Sequence, residues 1–324
     1  MTTATVITKK ERDWHRVGTT LLWALTMLVI GLAAALFGNS YQVTLLVNLA
    51  VTLILTLSLN FVVGYTGQFS LAHAAFFGVG AYTSAVLSKT LGVPPILALP
   101  IALIVVATLS TIVGIPAARF HGYYLAVATL AFSILIEIIV RQSPSVTGGA
   151  YGLQQIPYLD LFGRIEGHAY GIVAVVVFVV FFLAHNNLLR SRLGRAITAV
   201  RDNPAASAAA GINVMHTRLF GFVISATAAA LAGWLHAFYH RALNPMLFSA
   251  EWTFIWLFMV LVGGIGHWQG VVLGTVLLAI LPEFLGFATD QTILMVGVLM
   301  IAAALFAPRG LGGFLDRIAA KMRS

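Results

Sequence analysis

Apolar residues run in long blocks along this chain, and the polar positions fall into short groups between them. A helix needs about 20 apolar residues to cross the hydrocarbon core of a bilayer. Blocks of that length predict spans near residues 18–38, 43–63, 69–88, 95–118, 122–140, 168–188, 218–240, 250–266, 270–287 and 290–307. The pattern therefore predicts an all-α membrane protein of about ten transmembrane helices. The third, eighth and ninth have the least sharply marked ends. Pro94, Pro95, Pro100, Pro116 and Pro282 punctuate several blocks, which membrane helices tolerate where neighbours satisfy the freed backbone groups. The apolar run at 21–38 is longer than a signal-peptide core and no small-x-small site ends it, so it reads as a retained first span.

Composition strengthens this reading. The 324 residues are 60% hydrophobic and 9% charged, against about 25% charged in soluble domains. A net charge of +8 would suit a nucleic-acid partner if it were spread over a surface, but the basic residues cluster in loops beside the spans. With both termini cytoplasmic, one face holds four at the N-terminus, Arg119, five between 190 and 218 and four at the C-terminus, fourteen in all. The other face holds Lys89, Arg141, Arg164 and Arg241. That asymmetry obeys the positive-inside rule. It predicts a cytoplasmic segment 1–17, a membrane domain 18–308 with an outer loop 141–167 and a cytoplasmic loop 189–217, and a cytoplasmic tail 309–324. No soluble domain fits in such loops.

The inner loop carries the most information. Residues 189–218 read LRSRLGRAITAVRDNPAASAAAGINVMHTR. The Ala-rich run at 205–210 favours helix and is closed by Gly211. A helix-forming cytoplasmic loop of small side chains predicts a docking surface for a partner inside the cell.

Candidate chemistry is sparse. No Cys is present, which excludes disulfides, thiol catalysis and Cys-ligated metals. No G-x-x-x-x-G-K-[ST] occurs, and the glycines of 263–270 lack the lysine a phosphate loop needs. There is no H-E-x-x-H, no paired-carboxylate cleft and no nucleophile elbow. Enzymatic activity, metal binding and a resident cofactor are therefore not expected. Glu137 and Arg141 stand at the favourable i,i+4 spacing for a structural ion pair, while Glu251 and Glu283 fall near helix ends, where charges snorkel.

Two glycine-marked patches remain open between readings. In GYTGQFSLAH (64–73), Gly64 and Gly67 break an apolar stretch ahead of Gln68, Ser70 and His73. The segment is either a discontinuous helix whose N-terminus faces a substrate pathway and suits a carboxylate, or a tight turn with its polar groups satisfied by neighbours. In TGGAYGL (147–153), Thr147, Gly148, Gly149 and Gly152 mark either a binding surface or a connector. The remaining glycines, dense around 263–274, fit close helix packing. No internal repeat is evident, and both glycine-rich breaks fall on the predicted cytoplasmic side.

Seven blocks in order resemble the membrane subunit of bacterial branched-chain amino acid ABC importers, of the LivM type: SLNFVVGYTGQFSLAHAAFFGVGAYTSAVL (58–87), GYYLAVATLAF (122–132), TGGAYGL (147–153), GRAITAVRDNPAASAAAGINV (194–214), LFGFVISATAAALAGWLHAF (219–238), VLVGGIGHWQGVVLGTVLLAILPE (260–283) and APRGL (307–311). The resemblance implies a ten-helix, type II permease like that of vitamin B12 uptake, in the bacterial cytoplasmic membrane. It implies a second permease subunit, related or identical, two ATPases that bind ATP and Mg, and a soluble binding protein outside. It also gives the inner loop a role, with Arg195, Arg201, Asp202, Asn203, Ala205, Ala206 and Gly211 matching the segment that docks on the ATPase. No acid stands at 204–210, unlike many relatives. The implied substrate is leucine, isoleucine or valine, with urea, amides or aromatic acids served by similar permeases. An ion-coupled secondary carrier is the rival class, and the buried acids it would need are not seen.

Overall fold

A computed structural model describes residues 9–117, 123–160, 163–285, 297 and 310–313; for 9–17, 117, 247 and 282–285 it describes the backbone alone. All of the predicted tenth span but residue 297, most of the tail, Arg119 and the side chain of Glu283 lie outside the described residues.

The chain is built from α1 (Lys9–Phe37), α2 (Ser40–Asn60), α3 (His73–Thr90), α4 (Pro95–Ala117), α5 (Tyr123–Arg141), a single turn α6 (Pro144–Thr147), α7 (His168–Arg190), α8 (Arg192–Asp202), α9 (Pro204–Ala209), α10 (Val214–His240), α11 (Ala250–Gly263) and α12 (Trp268–Leu285). Two-residue strands β1 (Leu159–Asp160) and β2 (Arg164–Ile165) pair antiparallel in the loop before α7. Six helical segments among the described residues are long and apolar enough to span a membrane: Gly18–Phe37, Ser40–Tyr65, Pro95–Pro116, Tyr123–Arg141, His168–Arg190 and Val214–His240. The three with uncertain ends in the sequence are the three that fall short. α3 is diluted by His73, Ser84, Ser88 and Lys89, while α11 and the apolar part of α12 are short.

Local chemistry sets several of these boundaries. Asn39 and Gln42 form a reciprocal capping box, each side chain accepting the other's backbone N–H at 2.9 Å, which stops the chain between α1 and α2. The predicted third span at 69–88 needs correction. Residues 61–65 continue α2 as a π-turn, 66–72 are irregular, and α3 opens at His73. The predicted inner loop also differs in detail, because it contains two helices, α8 and α9, rather than one.

α2 lies at the centre, buried on every side from Leu53 through Val63, as expected of a helix that is apolar all round. α10 crosses α3 through a face of small residues, Ala226, Ala229, Ala230, Gly233 and Ala237. α1 packs on α7, and α4 and α5 keep broad apolar faces exposed. Helix ends sort into two groups, one gathering the glycine break after α2, the loop 191–213 and the α11–α12 turn. The other gathers the loop 142–167, the end of α3 and the segment after α10. The predicted inner and outer loops therefore lie on opposite faces.

Candidate functional site

The first group of ends forms one connected site. The π-turn Phe61–Tyr65 leaves helix geometry with Thr66 N–H on Phe61 O (3.1 Å) and Gln68 N–H on Val62 O (3.0 Å). Carbonyls at such an end need outside donors. Arg201 provides one: its Nη1 donates to Gly64 O at 2.6 Å, while Nε and Nη2 both donate to Asp202 Oδ1 at 2.9 and 2.8 Å. Its aliphatic stem lies on Gly67, where an added Cβ would stand 2.8 Å from Arg201 Cγ and where φ is +69°. Gly64 in turn lies directly on the α11–α12 turn, its would-be Cβ 2.5 Å from Gly266 N. That Gly266 N–H donates to Asn60 Oδ1 at 2.8 Å. The two glycine breaks of the sequence are thus in contact, and Arg201 closes the junction.

The loop that delivers Arg201 is specified residue by residue. Ser191 caps α8 on Gly194 N–H (3.2 Å), and α8 buries Gly194, Ile197 and Val200 on one face. Asn203, in extended backbone, caps α9 on Ala206 N–H (3.0 Å), with Pro204 at the first helical position. Gly211 at φ +81° ends it in a Schellman turn, with Gly211 N–H on Ala208 O and Ile212 N–H on Ser207 O, both 3.0 Å. Asn213 then caps α10. On α9 only Ser207 is buried; Pro204, Ala205, Ala206, Ala208 and Ala209 face outward. Arg195 is exposed and donates to Arg190 O at 2.7 Å.

Gln68, Ser70 and His73 are all buried. Gln68 Nε2 donates to Arg218 O (2.9 Å), tying the break to the start of α10. Ser70 Oγ accepts from Ala72 N–H (3.3 Å). His73 Nε2 meets Ser58 Oγ at 2.8 Å, and Ser225 Oγ donates to Ser58 O at 2.6 Å. Three residues that the sequence did not single out complete this framework. Thr129 Oγ1 accepts from Leu71 N–H (2.9 Å), Ser133 Oγ donates to Leu71 O (3.1 Å), and Thr253 Oγ1 accepts from Ala74 N–H (3.0 Å). Their signal is a lone hydroxyl amid apolar residues on α5 and α11. Asn60 was missed in the same way, a polar side chain just ahead of Gly64.

On the opposite face, Thr147 Oγ1 donates to Val140 O (2.5 Å), and Gly148, Gly149 and Gly152 all take positive φ. Gly152 lies against Leu243 O with no room for a Cβ. This lets Leu153 and Leu243 exchange backbone hydrogen bonds of 3.0 and 2.8 Å. Thr147, Gly149 and Gly152 are buried, whereas Tyr151 projects at 93% exposure. The pair Glu137–Arg141 forms at 2.7 Å. The site thus offers a small-residue helix on one face, a turn-stapled loop on the other, and no group of three metal-ligating His, Cys, Asp or Glu among the described residues.

Comparison with known proteins is in keeping with this arrangement. The LivM high-affinity branched-chain amino acid permease of Salmonella typhimurium is 32% identical over 316 residues, 90% of this chain and 74% of that protein. LivM of Escherichia coli is 31% identical over the same shares of each chain. A probable LivM permease of Methanocaldococcus jannaschii is 27% identical over 73% of this chain and 77% of its own. No solved structure matches the chain significantly. Residues 41–304 match the family described as "Branched-chain amino acid transport system / permease component", a span that includes both glycine breaks, the capped inner loop and the stapled outer turn. With its apolar spanning helices, this multi-pass inner-membrane protein belongs to the branched-chain amino acid transport permease family.

Proposed function

We propose that this chain is one permease subunit of an ATP-driven importer for branched-chain amino acids, with ten spans, the type II importer fold and both termini cytoplasmic. Segment 1–17 and tail 309–324 then lie inside the cell, and 18–308 form the membrane domain. Two separate ATPases hold the ATP and Mg, a second permease completes the pathway, and an extracytoplasmic binding protein delivers substrate. The observation that carries this reading is α9: a capped helix of one and a half turns whose alanines face outward, on the loop richest in basic residues. Small side chains permit close approach by a groove in a partner, and the caps make the helix stiff enough to transmit a push. Arg195, Arg201, Asp202, Asn203, Ala205, Ala206 and Gly211 shape that coupling loop.

The pathway runs beside the break at 64–73, where Gln68, Ser70 and His73 fix the backbone that borders it. The outer turn of Thr147, Gly148, Gly149 and Gly152 presents Tyr151 toward the binding protein.

Affinity purification of the chain from its native membrane in mild detergent tests the assembly. Recovery of ATPases is expected, and repeated recovery of the chain alone would refute the reading. A second test reaches the loop itself. Ala206→Trp, at an exposed position that leaves folding intact, should abolish ATPase recovery and uptake; retention of both would remove α9 from the interface.

A further inference from the structure

The inner loop is joined to the membrane domain in a specific way, and this inference rests on the importer reading above. Arg201 is the penultimate residue of α8, two residues before the cap of α9, Asn203. Its guanidinium reaches 137 residues back along the chain to Gly64 O at 2.6 Å, at the end of the central helix α2. Its stem occupies the space left by Gly67, and Nη1 stands 3.6 Å from where a Cβ of Gly266 would be. The start of α10, just past the loop, is attached to the same break through Gln68 Nε2 on Arg218 O. From that break, Leu71 and Ala74 are held by Thr129 on α5 and Thr253 on α11.

We propose that Arg201 is the positioning residue that carries movement of α9 into the membrane domain, by holding the break at Gly64 and Gly67 in register with the loop. A displacement of α9 moves the end of α8, and the guanidinium draws Gly64 with it. Positive φ at Gly67 and Gly266 lets the two breaks pivot with little strain. The break then shifts the starting turn of α3 and, through two threonine hydroxyls, α5 and α11. Asp202 keeps the guanidinium aimed by taking both Nε and Nη2. A single backbone carbonyl bound by a charged donor suits such a link, because that bond forms and breaks as one event.

The lack of cysteine makes a direct test simple. Spin labels are placed at Ala208→Cys on exposed α9 and at Phe69→Cys in the half-exposed part of the break, and pulsed EPR measures their separation. With Arg201 present, one narrow distance distribution is expected. Arg201→Ala should broaden it, and Arg201→Lys, which keeps one donor within reach of Gly64 O, should restore most of the narrowness. An unchanged distribution in Arg201→Ala would overturn the proposal.

The second readout is substrate moved per ATP hydrolysed in the reconstituted complex. Loss of a hydrogen bond to a charged group should lower that ratio about tenfold in Arg201→Ala, and Gly67→Ala, which displaces the Arg201 stem, should do the same. An unchanged ratio in both would also overturn the link, as would loss of the ATPases from Arg201→Ala with the EPR distances intact. If the wild-type chain purifies without ATPases, the importer reading fails by itself, and the EPR comparison still decides whether Arg201 holds the break.

Discussion

The crossing of α3 and α10 depends on two glycines, and a methyl group at either one should force the helices apart. A Cβ on Gly80 would stand 2.5 Å from Ala230 Cα, and a Cβ on Gly233 would stand 2.8 Å from Ala81 N. Non-bonded heavy atoms prefer about 3.5–4.0 Å, so the local separation must grow by about 1 Å. A gap of that size forfeits a quarter to a half of the attraction between the facing atoms. The buried residues along this contact include Phe77, Ala81, Ala226, Ala229, Trp234 and Ala237. Lipid offers no compensating hydrophobic push. Overpacking on this scale costs about 1–3 kcal/mol.

Gly18→Ala is the matched control, because Gly18 lies in α1 with no atom near its would-be Cβ. Thermal unfolding of the purified protein in one detergent, followed by tryptophan fluorescence, should show a lower Tm for Gly80→Ala and for Gly233→Ala than for wild type or Gly18→Ala. The double variant should lose less than the sum of the single losses, since one separation relieves both clashes, with a coupling of about 0.5–3 kcal/mol. Single variants that melt with the control would refute the reasoning. Strictly additive losses would show that the two glycines do not share one contact.

Thr129→Val and Thr253→Val each remove the acceptor of a buried backbone N–H, at Leu71 just before α3 and at Ala74 in its first turn. Each should cost about 1–3 kcal/mol, measured as a lower Tm, with Thr129→Ser recovering most of the loss. Gly152→Ala places a side chain at φ +73° against the Leu243 carbonyl. The outer loop should detach, read as faster cleavage between 142 and 167 by protease added outside spheroplasts while the membrane helices stay intact. Arg241→Gln removes a cation 3.6 Å from the Tyr158 ring, yet Arg164 remains 3.8 Å above the same ring. Stability should therefore fall by about 0.5–1 kcal/mol at most, and a larger drop in Tm would mean that the Arg241 Nε bond to Ile156 O (2.9 Å) dominates.

What could be read in the sequence followed from how each signal arises. Long apolar runs report burial in lipid directly, so the six strongest spans stood out, and the three weaker ones are the helices shortened or diluted by polar residues. The pair Glu137–Arg141 was legible because it lies within one helix turn. The inner loop was legible as basic and helix-forming, and α8 was legible too: Leu193, Ile197 and Val200 stand at i, i+4 and i+7, a helical period that was passed over among the arginines. The break at Gly64 and Gly67 was visible as glycines in an apolar stretch. Its outcome was not, because spacing cannot say whether Gln68 or His73 meets a pathway or a neighbour from far along the chain. The partners are Arg218, 150 residues on, and Ser58, 15 residues back. The contact of Arg201 with Gly64 is of the same kind, a tertiary pairing with no local pattern to announce it.

The two faces of the protein are braced in different ways, and the difference bears on where it yields. On the face of the loop 142–167, Leu153 and Leu243 exchange two backbone hydrogen bonds, Lys89 Nζ donates to Gln154 O at 2.6 Å, Arg241 Nε donates to Ile156 O, and Tyr158 lies beneath both Arg164 and Arg241. Opening that loop requires several of these to break together. On the opposite face, Arg201 in the loop 191–213 and Arg218 at the start of α10 are joined to the break by two side-chain donors, Arg201 and Gln68, at a junction lined with positive-φ glycines. Local opening follows the least-braced segments. On the importer reading, a push on α9 would be taken up at Gly64, Gly67 and Gly266 before the loop 142–167 is disturbed, so the start of α3 and its contacts with α5 and α11 at Thr129 and Thr253 would respond first.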